Sequence, residues 1–139
     1  MKSRIIKADS EQQILTAVVH QADVQDEQGD VISAEDLYAA VCRFGQRPTA
    51  GLQHGQEDAI PPGLLNILSS FMTREAHDGL PARAWILTVK VAKTPAGRIV
   101  WARVKAGQAG QDHVTIDGQT YSALTGLSMA GTGRRKAVA

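Results

Sequence analysis

Two residues of this chain, His54 and Ser128, have neighbours that suit a side chain for chemistry rather than packing. His54 lies in Gly51-Leu52-Gln53-His54-Gly55, and its glycine flanks expose an imidazole and let a partner backbone approach it. The carboxylates Glu57 and Asp58 follow closely. Ser128 lies in Thr125-Gly126-Leu127-Ser128-Met129-Ala130-Gly131-Thr132-Gly133. Small neighbours leave room there for a substrate backbone, and N–H groups after it, those of Gly131 and Thr132, can face an oxyanion. A serine hydroxyl is a weak nucleophile until a base takes its proton, and histidine titrates near ~6.5, close to neutrality. The chemistry on offer is acyl transfer, with Ser128 attacking and His54 as general base. Separation along the chain is no obstacle, because such pairs are assembled in space. By residue type alone, a structural serine on a glycine-rich strand is the commoner case.

The elements that must position these residues fit one domain. A chain of 139 residues buries enough surface to fold without disulfides or metal, and its single cysteine excludes an internal disulfide. Residues 1–139 are expected to form one unit, with about thirteen N-terminal residues and residues 134–139 flexible. A net charge of +1 gives no electrostatic case for a specific nucleic-acid binder. No apolar run reaches the ~20 residues of a membrane span, and the polar start Met1-Lys2-Ser3-Arg4 argues against export. A cytoplasmic location is therefore expected.

Ile14 to Val19 is short and rich in β-branched residues, which predicts a buried strand. Asp23 to Asp30 reads as an acidic loop turning at Gly29. Ser33 caps a helix whose buried face is Leu37, Ala40, Val41 and Phe44, ended by Gly45 and Pro48. Leu64 to Met72 is ambiguous between helix and strand. Ala84 to Val91 is a strand; Pro95-Ala96-Gly97 separates it from a helix over 98–106 that Gly107 ends. Asp117-Gly118 marks a hairpin between Val114–Ile116 and Gln119–Tyr121. The class predicted is α+β, mainly β: a small barrel or strongly curved sheet flanked by a few helices.

Taken in order, several segments resemble the XkdF-like family of phage serine proteases, relatives of tailed-phage prohead proteases and, more distantly, of herpesvirus assemblin. They are Asp26-Glu27-Gln28-Gly29-Asp30-Val31-Ile32-Ser33-Ala34-Glu35, Gly51-Leu52-Gln53-His54, Trp85-Ile86-Leu87-Thr88-Val89-Lys90-Val91, Trp101-Ala102-Arg103-Val104-Lys105-Ala106-Gly107 and Thr125-Gly126-Leu127-Ser128-Met129-Ala130-Gly131-Thr132. No single piece is specific; their order is. The resemblance implies an assemblin-like β-barrel, a strand over 64–72, and His54 and Ser128 as the catalytic pair. It further implies a hydrolase of virion assembly in a phage or prophage, cleaving scaffold and major capsid protein inside the prohead. A homodimer is implied as well, with no cofactor and no membrane.

Relatives carry a third member, a histidine or carboxylate on a strand after the nucleophile. The residues after Ser128 include no Asp, Glu or His. Three accounts follow in order: a truncated or self-trimmed chain; substitution by Asp112, His113, Glu57 or Asp58; or a catalytically silent morphogenesis protein that binds scaffold or capsid subunits. Gln108 to Ala123 looks longer than in the family, which lets Asp112-His113 fold back towards the site. Outside the candidate site, His20 and His77 are expected in polar loops and His113 at the surface. Cys42 is expected to pack beside the first helix's apolar face, and Trp85 and Trp101 to anchor the core. The four histidines and one cysteine show no zinc spacing. Arg134-Arg135-Lys136 reads as a solvated tail, with nucleic-acid contact a much weaker alternative.

Overall fold

The computed structural model describes residues 2–26, 29–46, 51–52 and 63–128. Its strands are β1 (Lys2–Asp9), β2 (Ile14–Gln21), β3 (Gly51–Leu52), β4 (Leu65–Met72), β5 (Ala84–Val91), β6 (His113–Ile116), β7 (Gln119–Ser122) and β8 (Gly126–Ser128). Helix α1 (Ala34–Gln46) lies between β2 and β3, and α2 (Pro95–Gln108) between β5 and β6. Six strands form one antiparallel sheet in the order β3-β8-β1-β2-β5-β4, while β6 and β7 make a separate hairpin. The fold is α+β and mainly β, a sheet strongly curled into a half-barrel with two helices. Each of the three long ladders carries an irregularity, at Ile5/Lys7, Val18/His20 and Ile67/Ser69. An extra residue in one strand bends it and increases its twist, which curls the sheet.

The main core lies on one face of that sheet. Leu15, Ala17 and Val19 of β2 and Trp85, Leu87, Val89 and Val91 of β5 meet Leu37, Val41 and Phe44 of α1 and Val100, Trp101 and Val104 of α2. A smaller cluster on the other face joins Val18, Ala84 and Ile86 with Ile6 and Leu80. Both tryptophans are core residues with satisfied N–H groups: Trp85 Nε1 donates to Ser70 Oγ at 2.9 Å and Trp101 Nε1 to Ser10 Oγ at 3.2 Å. Ser33 caps α1 as expected, its Oγ accepting from the Asp36 N–H at 3.1 Å. Asp117 and Gly118, at φ 49° and 81°, make the tight turn of the hairpin.

Five expectations are corrected. Residues 2–9, expected to be flexible, form strand β1, paired on both sides, with β2 and β8. Pro95-Ala96-Gly97 is no separator but the first turn of α2: Thr94 caps it by accepting from the Gly97 N–H, and proline suits a first turn that lacks N–H partners. That helix also runs past Gly107 to Gln108. Cys42 is exposed, since one residue beyond Val41 rotates it ~100° off the buried stripe. His20 is in no polar loop; β2 extends beyond its apolar run and buries it. The run before Thr73 is a strand, and its ambiguity has a cause. The half-buried positions are Leu65, Ile67, Ser70 and Met72, because the Ile67/Ser69 irregularity interrupts the alternation.

Candidate active site

The site is organised around β8, which carries Ser128. The chain enters β8 from α2 and the hairpin: the Leu124 N–H donates to the Arg103 carbonyl at 3.0 Å, and the Ala123 N–H to the Asp112 carbonyl at 2.8 Å. Gly107 makes this approach possible, since a Cβ there would sit 2.1 Å from the Leu124 carbonyl oxygen. Arg103, buried in α2, donates through Nε to the Ser122 carbonyl at 2.8 Å and through Nη2 to Ser122 Oγ at 3.0 Å. Its guanidinium also lies 6.0 Å from the Tyr121 ring centroid, a cation–π contact that ties the hairpin to the helix.

Along β8 the backbone is held from both sides. On one side Lys2, Ser3 and Arg4 of β1 pair with Ser128, Leu127 and Gly126. On the other, Gly51 and Leu52 of β3 pair with Ser128 and Leu127. Leu127 is anchored in the core, and fully buried Ser3 fastens it: Ser3 Oγ donates to the Leu127 carbonyl at 3.1 Å and accepts from the Leu127 N–H at 3.2 Å. Ser3→Ala strands both backbone groups without that partner, so a loss of about 2 kcal/mol in unfolding free energy is expected in urea titration. A loss under about 0.5 kcal/mol would contradict the role given to Ser3.

Of the candidate residues, Ser128 is described through its backbone pairing. His54, Glu57, Asp58, Gly131 and Thr132 lie outside the described residues, as does the basic tail. Asp112 and His113 are both exposed, at the start of the hairpin, with His113 paired to Ser122. His77 is exposed too, its Nδ1 3.4 Å from Asp78 Oδ2. Among the described residues no three His, Cys, Asp or Glu side chains gather to hold a metal, and no helix is long and apolar enough to cross a membrane.

Three features escaped the sequence reading. Ser3 was expected in a flexible N-terminal stretch and Arg103 was read only as part of a helix, and no local pattern marks either as a fastener. The third is His20, buried with Nδ1 3.7 Å from Asp26 Oδ2 and with no hydrogen-bond partner for Nε2. Only the length of β2 could have placed it.

Against this geometry stand the comparisons with known proteins. Residues 2–137 match the family described as "Putative phage serine protease XkdF". No curated protein and no solved structure matches the chain. The family match spans nearly the whole sequence, the β8 strand with Ser128 and the β3 strand before His54 included, and the chain therefore belongs to the XkdF family of phage serine proteases.

Proposed function

We propose that this protein is a prohead serine endopeptidase that cleaves scaffold and capsid proteins during head assembly, with Ser128 as nucleophile and His54 as general base. One observation carries the reading: Gly51 and Leu52 pair with Ser128 and Leu127. The two segments that the sequence singles out for chemistry are therefore neighbours in one sheet, although far apart in the chain. His54 follows Gly51, the residue opposite Ser128, by three residues, and three residues of chain span at most about 11 Å. Attack by Ser128 on a peptide carbonyl would release the amine and leave an acyl-enzyme, which water then hydrolyses, His54 shuttling the proton in each half. Work inside the prohead, in the host cytoplasm, and self-association into a dimer belong to the same reading.

The test is incubation of the purified protein with scaffold and capsid proteins of its own phage, followed by mass spectrometry of the fragments. Cleavage is expected, falling by about 10⁴-fold in His54→Ala. Cleavage that survives at full rate in His54→Ala removes the base assignment. Tight binding of those proteins without cleavage, by a chain that no serine reagent labels, would identify a silent morphogenesis protein instead.

A further inference from the structure

An open sheet ends in two edge strands, and β4 is one of them: among the described residues β5 is its single strand neighbour. Alternate residues of such a strand direct N–H and C=O groups away from the sheet, a template for one more strand. Natural edges are blunted by charged side chains or proline, and Leu65-Asn66-Ile67-Leu68-Ser69-Ser70-Phe71-Met72 contains neither. Its irregularity at Ile67/Ser69 still leaves Ser69 to Met72 in regular register with Thr88 to Trp85. Leu68 and Phe71, 51% and 39% exposed, are large apolar side chains that this edge leaves in water.

A groove of about 340 Å³ adjoins the end of β4. Ala34 and Tyr38 of α1 and Met72 of β4 give it apolar walls, and Thr73, Arg74 and Arg83 complete the lining. Tyr38 is 60% exposed, so its ring is an available wall rather than a core side chain. Two guanidiniums and no carboxylate line the groove. Arg83 is neutralised by Asp23, its Nη2 2.6 Å from Oδ2. Arg74 is exposed and makes no ion pair among the described residues, and Glu75, next in sequence, is exposed outside the lining. The unbalanced charge at the groove is therefore positive.

From this edge and groove we infer that β4 is a docking strand for an extended, acidic peptide segment of a partner protein. An added strand takes its hydrogen bonds from the free edge and its specificity from alternate side chains. Met72 packs against the main core on the α1 side of the sheet, so a peptide residue level with it points into the groove. An apolar side chain fits there against Ala34 and Tyr38. The residue two positions on lies on the same face, about 7 Å further along, where a carboxylate meets Arg74. Residues between them point to the other face, beside Phe71. Strands β1, β2 and β5 separate β4 from β8, so the inference does not depend on the chemistry assigned to Ser128.

The probe is the fluorescein-labelled peptide Thr-Val-Thr-Leu-Thr-Asp-Thr-Val, which sets Leu and Asp two residues apart on one face of a strand, with binding read by fluorescence anisotropy. Saturable binding is expected, about 10-fold weaker in Arg74→Glu and about 10-fold weaker for the peptide with Lys in place of Asp. Combining Arg74→Glu with the Lys peptide is expected to restore affinity, and Tyr38→Ala to weaken the Asp peptide severalfold. Both substituted side chains are exposed, so the variants keep the fold. No binding of the Asp peptide, equal binding of the Asp and Lys peptides, or an affinity unchanged in Arg74→Glu would overturn the inference. A sedimentation dimer that Phe71→Lys dissociates would assign the edge to a second copy and overturn it as well. Anisotropy is read without reference to cleavage, so failure of the protease reading leaves the result intact.

Discussion

Ser128→Ala is expected to lower peptide cleavage by about 10⁴-fold or more, with the folded state preserved. The size follows from the chemistry. Without Oγ no acyl-enzyme forms, and what remains is the small acceleration that binding and oxyanion contacts give to direct attack by water. Preservation of the fold follows from how β8 is held. Its pairing with β1 and β3 is made by backbone groups, and Ser3 fastens the preceding residue, so alanine at position 128 leaves the ladder intact. Cleavage rate and urea midpoint measured on the same preparation separate the two effects. A variant that keeps a tenth or more of native activity would exclude Ser128 as the nucleophile.

A large loss of stability is expected from Gly107→Ala. Helix propensity favours alanine over glycine by up to about 1 kcal/mol. At this position the new Cβ would lie 2.1 Å from the Leu124 carbonyl oxygen and 2.9 Å from its carbon, and these are backbone atoms that no rotamer change can clear. Overpacking dominates the propensity term, giving a net loss of about 3 kcal/mol and a fall of roughly 10 °C in Tm. Because Leu124 leads directly into β8, the displacement also reaches Ser128, so activity per folded molecule is expected to fall. Gly45→Ala is the control. Nothing lies within 4 Å of its Cβ position in α1, and the same substitution there is expected to be neutral or to stabilise slightly. Equal melting temperatures for the two variants would refute the close approach of α2 and the β8 entry.

The sequence conveyed the strands and helices whose signals are local. β5 is legible because Ala84 to Val91 is a continuous apolar strand pattern, the hairpin because Asp117-Gly118 supplies two left-handed residues, and α1 because Ser33 caps a periodic stripe. What stayed hidden depended on partners distant in sequence. Nothing in Lys2-Ser3-Arg4-Ile5 announces a strand in the middle of a sheet; β1 gains its place by pairing with β8 from the other end of the chain. β4 was ambiguous because its bulge breaks the period of two, and His20 was misplaced because its burial comes from tertiary structure around the end of β2. At the candidate site, residue types suggested Ser128 and His54 and the ordered resemblance supplied the family. The pairing of β3 with β8 could not be read from either segment, since it is a choice of register between two short, glycine-containing strands.

The most direct test of the central claim is to treat the native protein with a serine-reactive phosphonate and map the adduct by peptide mass spectrometry. A single stoichiometric adduct on Ser128, lost in His54→Ala, is the predicted result. No adduct, an adduct on another serine, or full labelling of Ser128 without His54 would contradict it.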